Sequence, residues 1–148
     1  MFFLILVILI ILGEWKLKNY FEAVYDFQKQ KQICKDTIRL HKYHNYGAFL
    51  NIMENKKKLL HAISIIFTII IAVLFLLTFC TKGNRMLKLG LSLLLGGAFS
   101  NTYDRLTREY VVDYFSFCSP WKNLNRIVFN ISDFCIIIGS FIAVLSTS

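Results

Sequence analysis

Long stretches without charge constrain this chain most, because few folds other than a bundle of membrane helices can accommodate them. The apolar runs are 1–13, 59–80, 86–103 and 127–148. A helix needs roughly 20 apolar residues to cross the hydrocarbon of a bilayer. The last three runs are long enough, and the first is if it continues to about Tyr20. The sequence therefore predicts an all-α membrane core of four transmembrane helices, at about 2–20, 59–80, 86–104 and 127–146.

Composition fits one membrane domain over residues 1–148. The chain is 56% hydrophobic with a mean hydropathy of +0.54. The first run has no basic residues before it and no small-residue cleavage site after it, so we expect an uncleaved helix. The net charge is +8, but the chain has no soluble domain that could present this charge to nucleic acid, so we expect no nucleic-acid partner for the protein. We expect membrane phospholipids as its partner and a monomeric protein.

The connection between helices two and three is short, at 81–85, so these helices form an antiparallel hairpin. Both polar segments, 21–58 and 105–126, then lie on the opposite face, where they build a subdomain outside the bilayer. Aromatic, aliphatic and charged residues mix in 21–44, which is compatible with a small β-sheet or an amphipathic surface helix. Fourteen of the 17 Lys and Arg residues lie on this face. The charge count alone would place it in the cytoplasm.

Asp133 lies inside the last apolar run, in "FNISDFCIII". A carboxylate within a membrane helix costs about 2.5–3.5 kcal/mol on insertion scales, so such residues face protein or water and usually have a function. We expect Asp133 about two turns into helix four. Asn130 lies three residues earlier on the same side. A purely structural reading, an interhelical hydrogen bond, is the alternative.

Asp113 follows helix three in "YVVDYF", where β-branched and aromatic neighbours predict an extended, partly buried segment. Opposite Asp133 it becomes a candidate partner. Two carboxylates in one site cannot both ionise easily, so one keeps its proton. The pair can then activate water and polarise a carbonyl, as in aspartic proteases.

For other polar residues near the helix ends, a structural role is an alternative to a functional one. Glu14 and Lys18 are spaced i, i+4, which favours a surface ion pair or a role facing substrate. Asp104 and Arg105 are expected to form a local ion pair at the end of helix three. The cysteines and histidines have no metal-ligand spacing, so we expect no metal site and no cofactor.

Taken together, these segments resemble the lipoprotein signal peptidase family (signal peptidase II), whose members are four-helix bacterial membrane aspartyl proteases. Five blocks carry the resemblance, in order: "EWKLK", "NYGAF", "GGAFSNTYDR", "VVDYF" and "FNISD". The resemblance implies catalytic roles for Asp113 and Asp133. It implies supporting roles for Glu14, Lys18, Asn45, Gly47, Gly97, Asn101, Arg105 and Asn130, and a structural role for Asp104.

This chain departs from the family pattern at several positions. Glu14 stands where an aspartate is usual, and the block at 45–49 is one residue short. Glu109 stands in place of a glycine, and Ser132 replaces the alanine before the second catalytic aspartate. None of these changes removes a catalytic group.

The resemblance implies cleavage of the signal peptide from diacylglyceryl-modified prolipoproteins, just before the lipidated cysteine. It also implies a bacterial cytoplasmic membrane location, with both termini in the cytoplasm and the dyad on the outer side, against the charge count. Two alternatives stay open. One is a non-catalytic protein that binds lipoproteins or signal peptides; the other is an ion or proton carrier, disfavoured because helix two has no acidic residue.

Overall fold

The described part of the chain forms four helices and three short strands. A computed structural model describes residues 1–34, 37–47, 56–80, 83–118, 125 and 127–146. The helices are α1 (Phe2–Val24), α2 (Lys57–Cys80), α3 (Arg85–Arg108) and α4 (Ile131–Leu145). The strands are β1 (Gln30–Ile33), β2 (Ile38–Asn45) and β3 (Val111–Phe117). The described part of the protein is therefore mostly helical, with one small antiparallel sheet.

Helix α3 is the centre of the bundle, because α1, α2 and α4 all pack against it. The buried core between these helices includes Val7 of α1, Phe75 of α2 and Leu91 and Leu94 of α3. On the outer faces, large apolar side chains are exposed instead, for example Leu76 at 62% and Phe141 at 66%. An apolar exterior of this extent suits a hydrocarbon environment better than water.

Glycines bring α3 and α4 into backbone contact. A Cβ atom on Gly97 would lie 2.5 Å from the carbonyl oxygen of Ser132, and one on Gly139 would lie 2.6 Å from the carbonyl oxygen of Gly90. Any larger residue at these positions would force the two helices apart. Gly96 faces the other way, against the side chain of Ile10 on α1.

The sheet has the order β1-β2-β3, with both pairs antiparallel. Of the two structures predicted for 21–44, the β-sheet is confirmed over 30–33 and 38–44. Residues 35, 36 and 48–55 lie outside the described part. Tyr43 pairs with Asp113 and Asn45 with Val111, after an irregularity between Leu40 and Tyr43. A single bridge joins Phe115 to Phe129, so the chain just before α4 runs alongside β3.

By length and composition alone, one helix within the described residues, Lys57–Phe79, is apolar and long enough to cross a membrane. Helix α4 is apolar but only 15 residues long. Charged residues such as Glu14 and Lys18 interrupt α1, and Asp104 and Arg105 interrupt the end of α3. Four membrane spans therefore stay a prediction.

The position expected for Asp133, two turns into helix four, is wrong. Helix α4 begins at Ile131, so Asp133 lies in its first turn. The reason is local: Asn130 has an extended backbone (φ −125°, ψ 170°) and caps the helix. Residues before it are held alongside β3 and are unavailable for a helix. Helix α1 also differs from its prediction, because it continues to Val24 instead of ending near Tyr20.

Candidate active site

Asn130 joins the two aspartates that the sequence singled out. Its side-chain Nδ2 donates to Asp113 Oδ1 at 2.6 Å, and its backbone N–H donates to Asp133 Oδ2 at 3.1 Å. In return, Asn130 Oδ1 accepts from the backbone N–H of Asp133 at 3.0 Å. This reciprocal capping of a helix N-terminus holds the Asp133 carboxylate at the start of α4.

The second oxygen of Asp113 is bound from strand β2. Asn45 Nδ2 donates to Asp113 Oδ2 at 2.9 Å. The backbone N–H of Gly47 donates to Asn45 Oδ1 at 3.2 Å, which determines how the amide of Asn45 is turned. Both oxygens of Asp113 therefore accept from an asparagine, one from each side.

The second oxygen of Asp133 is bound from helix α3. Asn101 Nδ2 donates to Asp133 Oδ1 at 2.9 Å, while Asn101 Oδ1 accepts from Lys18 Nζ at 2.9 Å. Lys18 also contacts Ser100 Oγ at 3.1 Å. The ammonium of Lys18 thus orients the amide that orients Asp133.

Lys18 and Glu14 do not form the surface ion pair that was one reading of their spacing. Lys18 is 1% exposed and Glu14 2%, and Lys18 Nζ lies 3.8 Å from Glu14 Oε2. Its nearest carboxylate is Asp104, with 3.1 Å between Lys18 Nζ and Asp104 Oδ2. Burial makes these pairings necessary, because an unpaired buried charge is strongly destabilising.

The local ion pair expected between Asp104 and Arg105 is replaced by other partners. Asp104 pairs with Lys18 and, at 3.4 Å, with Nε of Arg108, one helical turn further along α3. Its Oδ2 also accepts from the backbone N–H of Val112 at 3.2 Å. Asp104 therefore ties the end of α3 to β3 at Val112, one residue before Asp113.

The Glu14 carboxylate has contacts that the sequence did not indicate. Tyr114 OH donates to Glu14 Oε1 at 2.5 Å, and Ser132 donates to Glu14 Oε2 through its backbone N–H at 3.1 Å and its Oγ at 2.7 Å. Sequence reasoning missed Tyr114 altogether and treated Ser132 only as a departure. The one available signal was that Tyr114 follows Asp113 in a strand and so points to the opposite face.

Burial raises the pKa of Asp113 to about 8, and the neighbouring negative charge of Asp133 adds to the shift. The asparagine donors and Lys18 oppose it without cancelling it. A carboxyl group that keeps its proton near neutral pH, next to a second carboxylate, can serve as the acid of a general acid–base pair.

A cleft of about 290 Å³ opens beside these residues, between α2, α3, α4 and the sheet. Its polar end is formed by Asn45, Asn101, Arg105 and Asp133; Phe67, Ile136 and Ile137 contribute apolar walls. Asp113 itself is 1% exposed and lies next to this polar end through Asn45. The cleft therefore combines a lipid-like wall with carboxylate chemistry.

Arg105 supplies the positive charge of the cleft. Its Nη1 lies 3.5 Å from the backbone oxygen of Asn101, whereas its buried Nε has no hydrogen-bond partner among the described residues. An unsatisfied buried donor in a cleft wall is costly unless a ligand completes it. In the described ranges, no three His, Cys, Asp or Glu side chains are grouped to hold a metal ion.

Comparison with known proteins identifies the family. The family model for signal peptidase (SPase) II matches residues 5–148. This chain belongs to the signal peptidase II family. A lipoprotein signal peptidase of Halothermothrix orenii is 30% identical over 141 residues, covering 95% of this chain and 91% of the relative. One of Shouchella clausii is 34% identical over 108 residues, covering 72% of this chain and 66% of the relative.

Solved structures share the fold of this signal peptidase II family member. Two structures described as bacterial membrane enzymes match it with TM-scores of 0.82 and 0.79, each at 20% identity and over 98% of this chain. The matches cover 86% and 91% of those chains. The protein thus belongs to a peptidase family, and it shares its fold with two structures described as bacterial membrane enzymes.

The tertiary structure brings together nearly all the residues predicted from the five sequence blocks. Each block comes from a different element. Asn45, Asn101, Arg105 and Asp133 line the polar end of the cleft. The other side chains lie behind it: Asp113, Asn130 and Lys18 are hydrogen-bonded to these residues, Asp104 pairs with Lys18, and Glu14 binds Ser132. The two exceptions are positional: Gly97 contributes the close α3–α4 contact beneath Ser132, and Gly47 acts through Asn45. In this chain Glu109 ends α3 in a left-handed conformation and its side chain is exposed.

Proposed function

We propose that this protein is an aspartic endopeptidase that removes the signal peptide of diacylglyceryl-modified prolipoproteins, just before the lipidated cysteine. The observation that carries the proposal is the arrangement of Asp113 and Asp133 around Asn130, at the polar end of an apolar cleft. The names of the relatives supply the substrate class, since they are lipoprotein signal peptidases.

In this mechanism the aspartates are the catalytic residues. The ionised carboxylate takes a proton from a water molecule as that water attacks the scissile carbonyl carbon. The protonated carboxyl donates to the carbonyl oxygen, which becomes the hydroxyl of a tetrahedral intermediate. Collapse of that intermediate breaks the C–N bond, and the leaving nitrogen takes a proton back. The raised pKa of Asp113 supports a shared proton at neutral pH.

Supporting residues hold the dyad and the substrate backbone. Asn45, Asn101 and Asn130 orient the two carboxylates, and Lys18 and Glu14 orient the elements that carry them. Arg105 has a free donor in the cleft wall and binds a carbonyl or ester oxygen of the substrate. The apolar walls suit a substrate that never leaves the bilayer. No cofactor takes part in this mechanism.

We further propose that four helices span the membrane, with both termini in the cytoplasm and the site on the outer side. The exposed apolar faces of α1, α2 and α4 support the spans. This topology puts the basic residues of 14–58 on the outer leaflet, where phospholipid phosphates can bind them. The binding-only alternative is not favoured, because both carboxylates are retained and oriented.

A gel-shift assay tests the proposal, with a diacylglyceryl-modified prolipoprotein in detergent at acid and neutral pH. We expect wild type to cut and Asp113→Asn and Asp133→Asn to lose cleavage by at least about 10³-fold while staying folded. The matched control is Asp26→Asn, an exposed aspartate in a turn, which should cut like wild type. A wild-type protein that never cuts, beside an active family member, would leave binding as the function.

A further inference from the structure

The buried carboxylate of Glu14 is a junction of three elements. It projects from α1, accepts from Tyr114 of β3, and accepts twice from Ser132 of α4, over distances of 2.5–3.1 Å. All three residues are at most 4% exposed. Hydrogen bonds to a charged acceptor in such a water-excluded environment are stronger than hydrogen bonds between neutral groups.

The first turn of α4 depends on this junction for its free N–H groups. The N–H of Ile131 donates to Tyr114 OH at 3.0 Å, and that of Ser132 donates to Glu14 Oε2 at 3.1 Å. The next N–H, of Asp133, donates to Asn130 Oδ1. A helix leaves its first N–H groups without intrahelical partners. Here α1 and β3 satisfy two of them directly before the catalytic residue.

Strand β3 connects the same junction to the other aspartate. Neighbouring side chains in a strand point to opposite faces. Asp113 accordingly contacts Asn45 and Asn130, while Tyr114 contacts Glu14 and stacks on Phe21 with ring centroids 4.6 Å apart. The strand that carries Asp113 is therefore tied to the helix that carries Asp133 on both of its faces.

We infer that Glu14, Tyr114 and Ser132 form a positioning relay that sets the distance and orientation between Asp113 and Asp133. The inference rests on the proposed function. The three are positioning residues because none of them donates to or accepts from either catalytic carboxylate. The Tyr114 hydroxyl stays protonated and can donate its hydrogen bond to Glu14, because burial and the nearby Glu14 charge raise the pKa of Tyr114 above the ordinary value. Lys18, 3.8 Å away, balances the Glu14 charge.

Steady-state kinetics on the diacylglyceryl-modified prolipoprotein test the relay. We expect Tyr114→Phe and Ser132→Ala each to lower kcat about tenfold with KM within about twofold, because dyad geometry affects the chemical step and substrate binding does not depend on these hydroxyls. Each change removes one hydroxyl and little volume, so both variants should fold.

Two matched variants control for the loss of a buried hydroxyl. Ser140→Ala removes a hydroxyl on the same helix that, among the described residues, donates to its own backbone, to the oxygen of Ile136. Tyr25→Phe removes one from a buried ring that packs on the same Phe21. Both controls should keep kcat within about twofold of wild type.

The double variant Tyr114→Phe/Ser132→Ala separates a relay from independent contacts. Because both hydroxyls act through one carboxylate, the double variant should lose no more than about threefold beyond the larger single loss. Losses that multiply, to about a hundredfold, would overturn the relay, as would single variants with wild-type kcat.

Hydrogen exchange followed by mass spectrometry tests the relay without cleavage. Amides of the 127–135 segment should exchange about tenfold faster in Tyr114→Phe and Ser132→Ala, and at the wild-type rate in Ser140→Ala. Unchanged exchange in both relay variants overturns the inference. A wild-type protein that cuts nothing overturns the proposed function instead, and the exchange result then decides the relay by itself.

Discussion

Asn130, which caps the helix of Asp133, donates a hydrogen bond from its side-chain Nδ2 to Asp113 Oδ1 at 2.6 Å. The same side chain thus caps α4 and binds a carboxylate on β3. Its two hydrogen-bonding ends are both in use, so the amide cannot rotate without breaking one of these contacts. Few other residue types could do both, since the site needs a donor and an acceptor on one short side chain.

This double use makes Asn130 the most sensitive supporting position. We expect Asn130→Ala to lower kcat by at least about a hundredfold, because Asp113 and Asp133 lose their common contact. Loss of the cap should also cost about 1 kcal/mol of stability. Asn130→Asp keeps the cap acceptor but puts a third carboxylate beside Asp113. That variant should stay folded in thermal unfolding but show no cleavage in the gel-shift assay. An active Asn130→Asp would contradict the role of Asn130 as the residue that joins the two aspartates.

The raised pKa of Asp113 predicts a pH-dependent stability. The unfolded chain has an ordinary aspartate near 3.8, and the folded protein holds its proton up to about 8. Asp113 therefore contributes stability that is fully present below pH 3.8 and is lost as the pH rises through about 8. In detergent, the unfolding temperature of wild type should fall over this window relative to that of Asp113→Asn. Parallel curves for the two proteins would show that Asp113 titrates normally.

Gly97 should tolerate no side chain. A Cβ there would meet the carbonyl oxygen of Ser132 at 2.5 Å, directly before Asp133, so Gly97→Ala must displace α4. Overpacking of this kind costs about 1–3 kcal/mol, and the shift of Asp133 should lower activity as well. The control is Gly13→Ala: Gly13 is also within a helix but has open space around it, and the change should stabilise by about 0.5–1 kcal/mol. Equal effects at the two sites would refute the packing argument.

Glu109 ends α3 with φ at +67°, in the left-handed region. Glycine adopts this conformation without a Cβ penalty, so Glu109→Gly should stabilise the protein by about 1 kcal/mol. Glu109→Ala removes the carboxylate but keeps the Cβ, and it should bring no such gain. Thermal unfolding of the three proteins distinguishes backbone strain from charge. Stabilisation by alanine equal to that by glycine would point to the charge.

Much of the site could be predicted from the sequence because its residues are unusual for their surroundings. A carboxylate in an apolar run, as at Asp133, has few roles in a membrane protein. An aspartate that follows β-branched residues, as Asp113 does, indicates an extended segment at the membrane interface. The ordered blocks around them then indicated the family, which the comparisons confirmed.

Other features could not be predicted, because they depend on partners distant in the chain. Lys18 and Asp104 are 86 positions apart, and their pairing follows from how α1 packs on α3. The start of α4 was misplaced because bridge formation between Phe115 and Phe129 competes with helix formation in the same apolar run. Hydropathy does not distinguish a strand from a helix over a few residues.

The sequence by itself determined the apolar composition and the family, and it predicted the two aspartates, since residue type and order are sufficient for these. Only the tertiary structure decided which groups touch: that Asn130 joins the aspartates, that Glu14 binds Tyr114 and Ser132, and that Lys18 is buried. The physical reason is that hydrogen bonds and buried charges act over about 3–4 Å, a distance that chain order does not specify.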